Sequence, residues 1–136
     1  MTSIQSLKNI KTEEETRLKT KDLLIETQGP VLYLTLNRLD QLNAFSPEII
    51  TAMKQSLPGA KNNAFIRVIS LKGSGRTFSA GGDIKRMGSR GTLETHDHIG
   101  NMNDLIMLMS QQEKPIIIAV HGYAVGAGFN LSLAAD

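Results

Sequence analysis

The 136-residue chain is 40% hydrophobic and 21% charged, ordinary proportions for one globular domain with a real hydrophobic core. Zero cysteines exclude disulfides, thiolate metal sites and cysteine nucleophiles together. The net charge of +2 is modest, the basic residues are scattered, and two tyrosines, four phenylalanines and no tryptophan offer no stacking platform, which argues against nucleic-acid binding.

Residues 1–21 form a polar N-terminal tail, in which "KTEEETRLKTK" mixes both charges and Thr12 with Glu15 forms a weak capping box. No apolar stretch there resembles a secretory signal, and no run along the chain is long enough to cross a bilayer, so the expectation is a cytoplasmic protein without membrane attachment. From Asp22 the pattern changes. "DLLIETQ", Gly29-Pro30 and "VLYLTLNR" read as two strands joined at a turn, a hairpin. Ser46 followed by Pro47 is a helix start, and "SPEIITAMKQSL" puts Ile49, Ile50, Met53 and Leu57 on one face, with Pro58-Gly59 as the stop.

"IRVISLKG", Ile66 to Gly73, has strand composition, "SGRTFSAGGD" follows as a loop, and a short helix is expected from about Asp83. "GSRGTLETHDH" shows no apolar period and reads as a mobile connection. The next segment, "IGNMNDLIMLMSQQ", repeats Ile99, Met102, Ile106 and Met109 at helical spacing. Pro115 opens "PIIIAVHG", a continuous apolar strand of the kind buried on both faces of a parallel sheet, and "YAVGAGFNLSLAAD" turns from it into a small-residue helix. Strands alternating with helices make the fold class α/β.

The chain therefore carries strand, glycine-containing loop and helix twice, at "RVISLKGSGRTFSAGGDI" and "IIIAVHGYAVGAGFNLSL". Helix N-termini beyond strand ends present unpaired N–H groups and a partial positive charge, and two of them converging on one oxygen would make an oxyanion hole. A phosphate-binding Walker loop is absent, and "GAGFNL" places Leu131 where a dinucleotide fingerprint needs glycine. Glycines serving only tight turns and close packing are the structural alternative. Asp83 reads as a helix cap before a catalytic carboxylate. His96 and His98 read as surface residues, and "HDH" has no further nearby ligand to make a metal site. His121, at a strand end, reads as making a structural hydrogen bond.

Together, "LNRLDQLNAFS", "GSGRTFSAGGDIKRM" and "KPIIIAVHGYAVGAGFNLSLAAD", in this order and spacing, resemble the enoyl-CoA hydratase/isomerase (crotonase) family from about Leu23 to Asp136. The resemblance implies a crotonase-like ββα superhelix, here its incomplete N-terminal part, with residues 22–136 as a domain truncated before its C-terminal half. It implies an acyl-CoA thioester as substrate, coenzyme A entering as part of that substrate with no permanently bound cofactor and no metal, and a homotrimer or hexamer at full length. Position by position, Gly82 and Ala127 would supply the two oxyanion N–H groups, and His96 or His98, in a connection that in this family often borders the acyl pocket, would be the alternative to a surface histidine as a participant in proton transfer. Gln41, Leu42 and Ala44, with Ala80, Gly81, Gly82, Asp83 and Ile84, would line the CoA groove, and Arg38 and Lys85 become candidate phosphate contacts, if they are not simply solvated charges.

Asn130 stands three positions after Ala127, where hydratases of this family carry a glutamate. An amide positions water or substrate but takes no proton, so the implied activity leans from two-glutamate hydration toward double-bond isomerisation by one carboxylate beyond Asp136. A non-catalytic CoA-binding or assembly module, or an inactive fragment, is the alternative, and a nucleotide-binding α/β domain is a third.

Overall fold

A computed structural model describes residues 20–83, 86, 88 and 91–136. The polar tail and its capping box, Ile84 and Lys85 lie outside the described residues, and of the short helix expected after Asp83 only Arg86 and Gly88 are described, both helical.

Strands β1 (Leu23–Gln28) and β2 (Val31–Leu36) form the expected hairpin, antiparallel, with Gln28 opposite Val31 across Gly29-Pro30. In β2, Leu32, Leu34 and Leu36 are buried while Val31, Tyr33 and Thr35 are half-buried, the period of a strand with one core face. The chain then passes through a 3₁₀ turn, Leu39–Gln41, into helix α1 (Pro47–Lys61). Ser46 caps α1 by accepting the Ile49 N–H at 3.2 Å, Pro47 occupies the first turn, and Ile49, Ile50, Met53 and Leu57 are all buried.

Pro58-Gly59 does not stop α1. Proline removes one intrahelical donor, but the last turn is held from outside: the Gln112 side chain donates to the Leu57 carbonyl at 2.9 Å, and Lys114 Nζ donates to the Ala60 and Asn63 carbonyls. These partners lie more than fifty residues away in sequence, beyond the reach of any local stop signal.

Strand β3 (Val68–Gly73) begins two residues later than Ile66 and pairs parallel with β2, while β4 (Ile116–Ala119) pairs parallel with β3. The sheet order is β1-β2-β3-β4. Its core face packs Leu34, Leu36, Ile69 and Leu71 against α1 and helix α2 (Thr92–Ser110). Helix α3 (Ala127–Leu133) follows β4.

Two further expectations change here. The connection read as mobile is helical from Thr92, and the buried stripe of α2 is His98, Met102, Leu105 and Met109; Ile99 is exposed. The stripe is set by what α1 and the sheet offer to pack against, so a histidine displaces an isoleucine from it. β4, expected to be buried on both faces, is the edge strand: Ile116 is buried, but Ile117 is 56% exposed, because among the described residues no layer covers its outer side. No helix among the described residues is long and apolar enough to cross a membrane.

Candidate functional site

Three segments meet past the ends of β2, β3 and β4. Asn43 holds the first two together. Fully buried and in the left-handed region at φ +55°, it donates through Nδ2 to the Ser74 and Thr77 carbonyls, each at 2.9 Å, and accepts the Arg38 N–H at 2.8 Å. Ser79 Oγ donates to the Asn43 carbonyl at 2.7 Å, and the Ala80 N–H donates to the Leu42 carbonyl at 2.9 Å. The third segment joins through Phe78 N–H to His121 O at 2.8 Å, Ser79 N–H to Tyr123 O at 3.1 Å and Val125 N–H to Ser79 O at 3.2 Å. His121 makes the structural bond expected of it, donating from Nε2 to the Gly75 carbonyl at 2.7 Å.

The "AGG" of the first loop now has a physical cause. Gly81 has φ +94°, and a Cβ there would fall 2.6 Å from the Val125 carbonyl oxygen and 3.2 Å from the Ala127 nitrogen. Only glycine lets the two loops touch at this point. Gly126, before Ala127, has φ +54° and ψ −125°, again a glycine conformation, and it turns the chain from the loop into α3.

The stitching consumes the N–H groups of Phe78, Ser79, Ala80 and Gly81 in turn, the last donating to Ser79 Oγ at 3.1 Å. It stops at Gly82. Beyond β4 the Gly128 N–H reaches Val125 O and the Asn130 N–H reaches Gly126 O, both at 3.0 Å, while Ala127 is passed over. Among the described residues, neither the Gly82 N–H nor the Ala127 N–H has an acceptor.

Gly82 and Ala127 line one cavity of about 550 Å³, together with Ala80, Val125, Gly126 and Asn130. Its opposite wall is α2, through His98, Ile99, Met102, Asn103 and Ile106. Asn103 is a site-lining residue the sequence did not single out, and His98, read there as a surface residue, is instead buried in this wall, because its helix turns that face to the core. The signal for His98 existed in the +4, +3, +4 spacing of 98, 102, 105 and 109, but hydrophobicity alone ranks Ile99 above a histidine.

Other candidates fall elsewhere. Leu42, φ +51° and 41% exposed, lines a second cavity of about 340 Å³ with Leu39, Asn43 and Ser74 to Thr77, beside a half-buried Gln41. Ala44 is buried, and its carbonyl accepts from the Arg38 guanidinium at 3.2 Å.

Arg38 is not the solvated surface charge of one expectation. Its side chain is only 13% exposed and lies 2.9 Å from Asp83 Oδ2 and 3.9 Å from Asp22 Oδ2, so its charge is spent inside the protein. Asp83 caps as expected, its Oδ1 accepting the Arg86 N–H at 3.3 Å, and is itself 3% exposed. Burial pushes its pKa up, but the hydrogen bond and charge of Arg38 and the N–H and charge of Arg86 outweigh that and hold it below the ordinary value. Among the described residues no cluster of three or more His, Asp or Glu could hold a metal ion.

The family model for enoyl-CoA hydratase/isomerase matches residues 26–136. The chain is 34% identical over 119 residues to a 2,3-dehydroadipyl-CoA hydratase of Escherichia coli, covering 85% of this chain and 44% of that protein. It is 28% identical over 120 residues to a short-chain-enoyl-CoA hydratase of Clostridium acetobutylicum, covering 88% and 46%. The crystal structure of an enoyl-CoA hydratase from Bacillus anthracis superposes with a TM-score of 0.81 at 27% identity, over 85% of this chain and 45% of that one. The chain thus spans less than half the length of the curated relatives it matches. Two bonded glycine loops in the right order, the fold and the family match lead to one conclusion: the chain belongs to the enoyl-CoA hydratase/isomerase family.

Proposed function

We propose that the chain binds an acyl-CoA thioester, takes its carbonyl oxygen between the Gly82 and Ala127 N–H groups, and stabilises the enolate formed there, in an enoyl-CoA isomerase or hydratase-like activity. The observation that carries this reading is the pairing of two N–H groups that have no acceptor among the described residues, from different loops, in the wall of one cavity. Preorganised donors facing developing negative charge need no reorganisation during reaction, and removing one typically costs about 3–4 kcal/mol at the transition state. Met102, Ile106 and Val125 supply apolar walls for the acyl chain.

Gln41, Leu42, Ala44 and residues Ala80 to Ile84 would carry the CoA portion. The Leu42–Ala80 hydrogen bond supports this by making the groove segment and the Gly82 loop one rigid unit. Within that unit Asp83 acts as an anchor for Arg38 and the following turn. Residues 22–136 are taken as the crotonase-like unit after a polar tail, in a cytoplasmic protein whose full-length form assembles as a homotrimer or hexamer.

One observation favours a second reading, a CoA-binding module without turnover: the α3 side chain in the cavity is the amide of Asn130, which accepts no proton. Titrating the protein with butanoyl-CoA labelled with ¹³C at the thioester carbonyl separates the readings. Binding with a downfield shift of the carbonyl resonance, lost in Gly82→Val at unchanged circular dichroism, is the expected result. Binding with no shift would favour the module, and no binding would sink both.

A further inference from the structure

We propose that His98 is the proton carrier of this cavity, a step that rests on the acyl-CoA reading above. Of the described residues in the cavity wall, His98 alone has a side chain that titrates; Asn103 and Asn130 are amides and the others are apolar or glycine. His98 is buried on the stripe that fastens α2 to the core, so the helix holds its position rigidly. It also borders a second cavity of about 280 Å³, whose other lining residues include Glu94, Asp97 and Asn101. His98 thus lines both cavities, the larger one shared with Gly82 and Ala127 and the smaller one shared with Glu94 and Asp97. Glu94 and Asp97 are the charged groups of the smaller cavity; the α1 residues there, Pro47, Ile50 and Thr51, carry no charge, and no charged side chain among the described residues lines the larger cavity.

The step balances without any other reagent. The neutral imidazole takes a proton from the carbon next to the thioester carbonyl. The released electron pair moves into the enolate, whose oxygen lies at the Gly82 and Ala127 N–H groups. The imidazolium then either trades its proton with water and protonates the same carbon, which exchanges the α-hydrogen with solvent, or, for a 3-enoyl thioester, delivers the proton to carbon 4, shifting the double bond into conjugation. An imidazole both accepts and donates a proton through its ring nitrogens, which suits both transfers.

The test follows hydrogen exchange at the α-carbon of butanoyl-CoA in D₂O by proton NMR, with the ¹³C-carbonyl label reporting binding in the same samples. Wild-type protein is expected to exchange the α-protons, and His98→Gln and His98→Ala to bind with the same carbonyl shift but exchange about 10²–10⁴-fold more slowly. Added imidazole should restore exchange to His98→Ala, which a merely structural role would not allow. In the wild-type protein the ¹⁵N ring signals of His98 should move when butanoyl-CoA is added, a readout independent of how well the variants fold. Exchange in His98→Gln at the wild-type rate, binding by the wild type without exchange, or unmoved ring signals would each overturn the proposal. Failure of the wild type to bind at all overturns the acyl-CoA reading first, and this proposal with it.

Discussion

Gly81 shows how a single missing Cβ creates the contact between two loops. Gly81→Ala would force a side chain into a left-handed backbone and against the Val125 carbonyl, and should lower stability by about 2–4 kcal/mol, read as a shift in the urea midpoint. An unchanged midpoint would mean that the loops separate at no cost. Asp83 governs a different property. Because its pKa is lower in the folded protein than in the unfolded chain, it contributes stability that is present above the unfolded value near 4 and lost as pH falls through the folded value. Urea midpoints should therefore begin to fall below about pH 5 and continue downward, and Asp83→Asn should flatten that acid limb. At neutral pH the same change strands Arg38, at a cost somewhat below the about 3–5 kcal/mol of a broken buried pair, since Asp22 remains 3.9 Å from its guanidinium. The burial of Arg38 was not legible in the sequence, because its partner lies forty-five positions along the chain.

The two long helices depart from their sequence readings for related reasons. The start of α1 was legible because the cap and the first-turn proline act on adjacent residues. Its end was not, because Gln112 and Lys114 replace what Pro58 removes. If the proline is only tolerated, Pro58→Ala should restore a hydrogen bond to the Lys54 carbonyl and raise stability by about 1–3 kcal/mol in thermal or urea unfolding. A loss of stability would show instead that the local distortion is what brings the last carbonyls to Gln112 and Lys114. In α2 the periodicity was visible but its phase was not: two faces, one through Ile99 and one through His98, share Met102 and Met109. Choosing between them required knowing that α1 lies against the second.

At the scale of the molecule, the sheet ends on an apolar edge. Ile117 on β4 and Phe129 and Leu133 on α3 are each more than half exposed. An edge strand of this composition invites pairing with another chain. The isolated 136-residue chain should therefore self-associate with rising concentration, and Ile117→Lys should reduce that association in sedimentation velocity without changing thermal stability. Equal sedimentation of the two proteins across concentrations would show that this edge is not the contact.

Sequence by itself determined the hairpin, the α1 cap, the strand-loop-helix order and the two glycine loops, because strand period, capping and turn chemistry act between neighbours in the chain. Tertiary structure decided that Arg38 is buried against Asp83, that His98 faces the cavity shared by Gly82 and Ala127, and that β4 stands at an edge. Each of these depends on which distant segments become neighbours, and burial, ion pairing and exposure have no value until that packing exists.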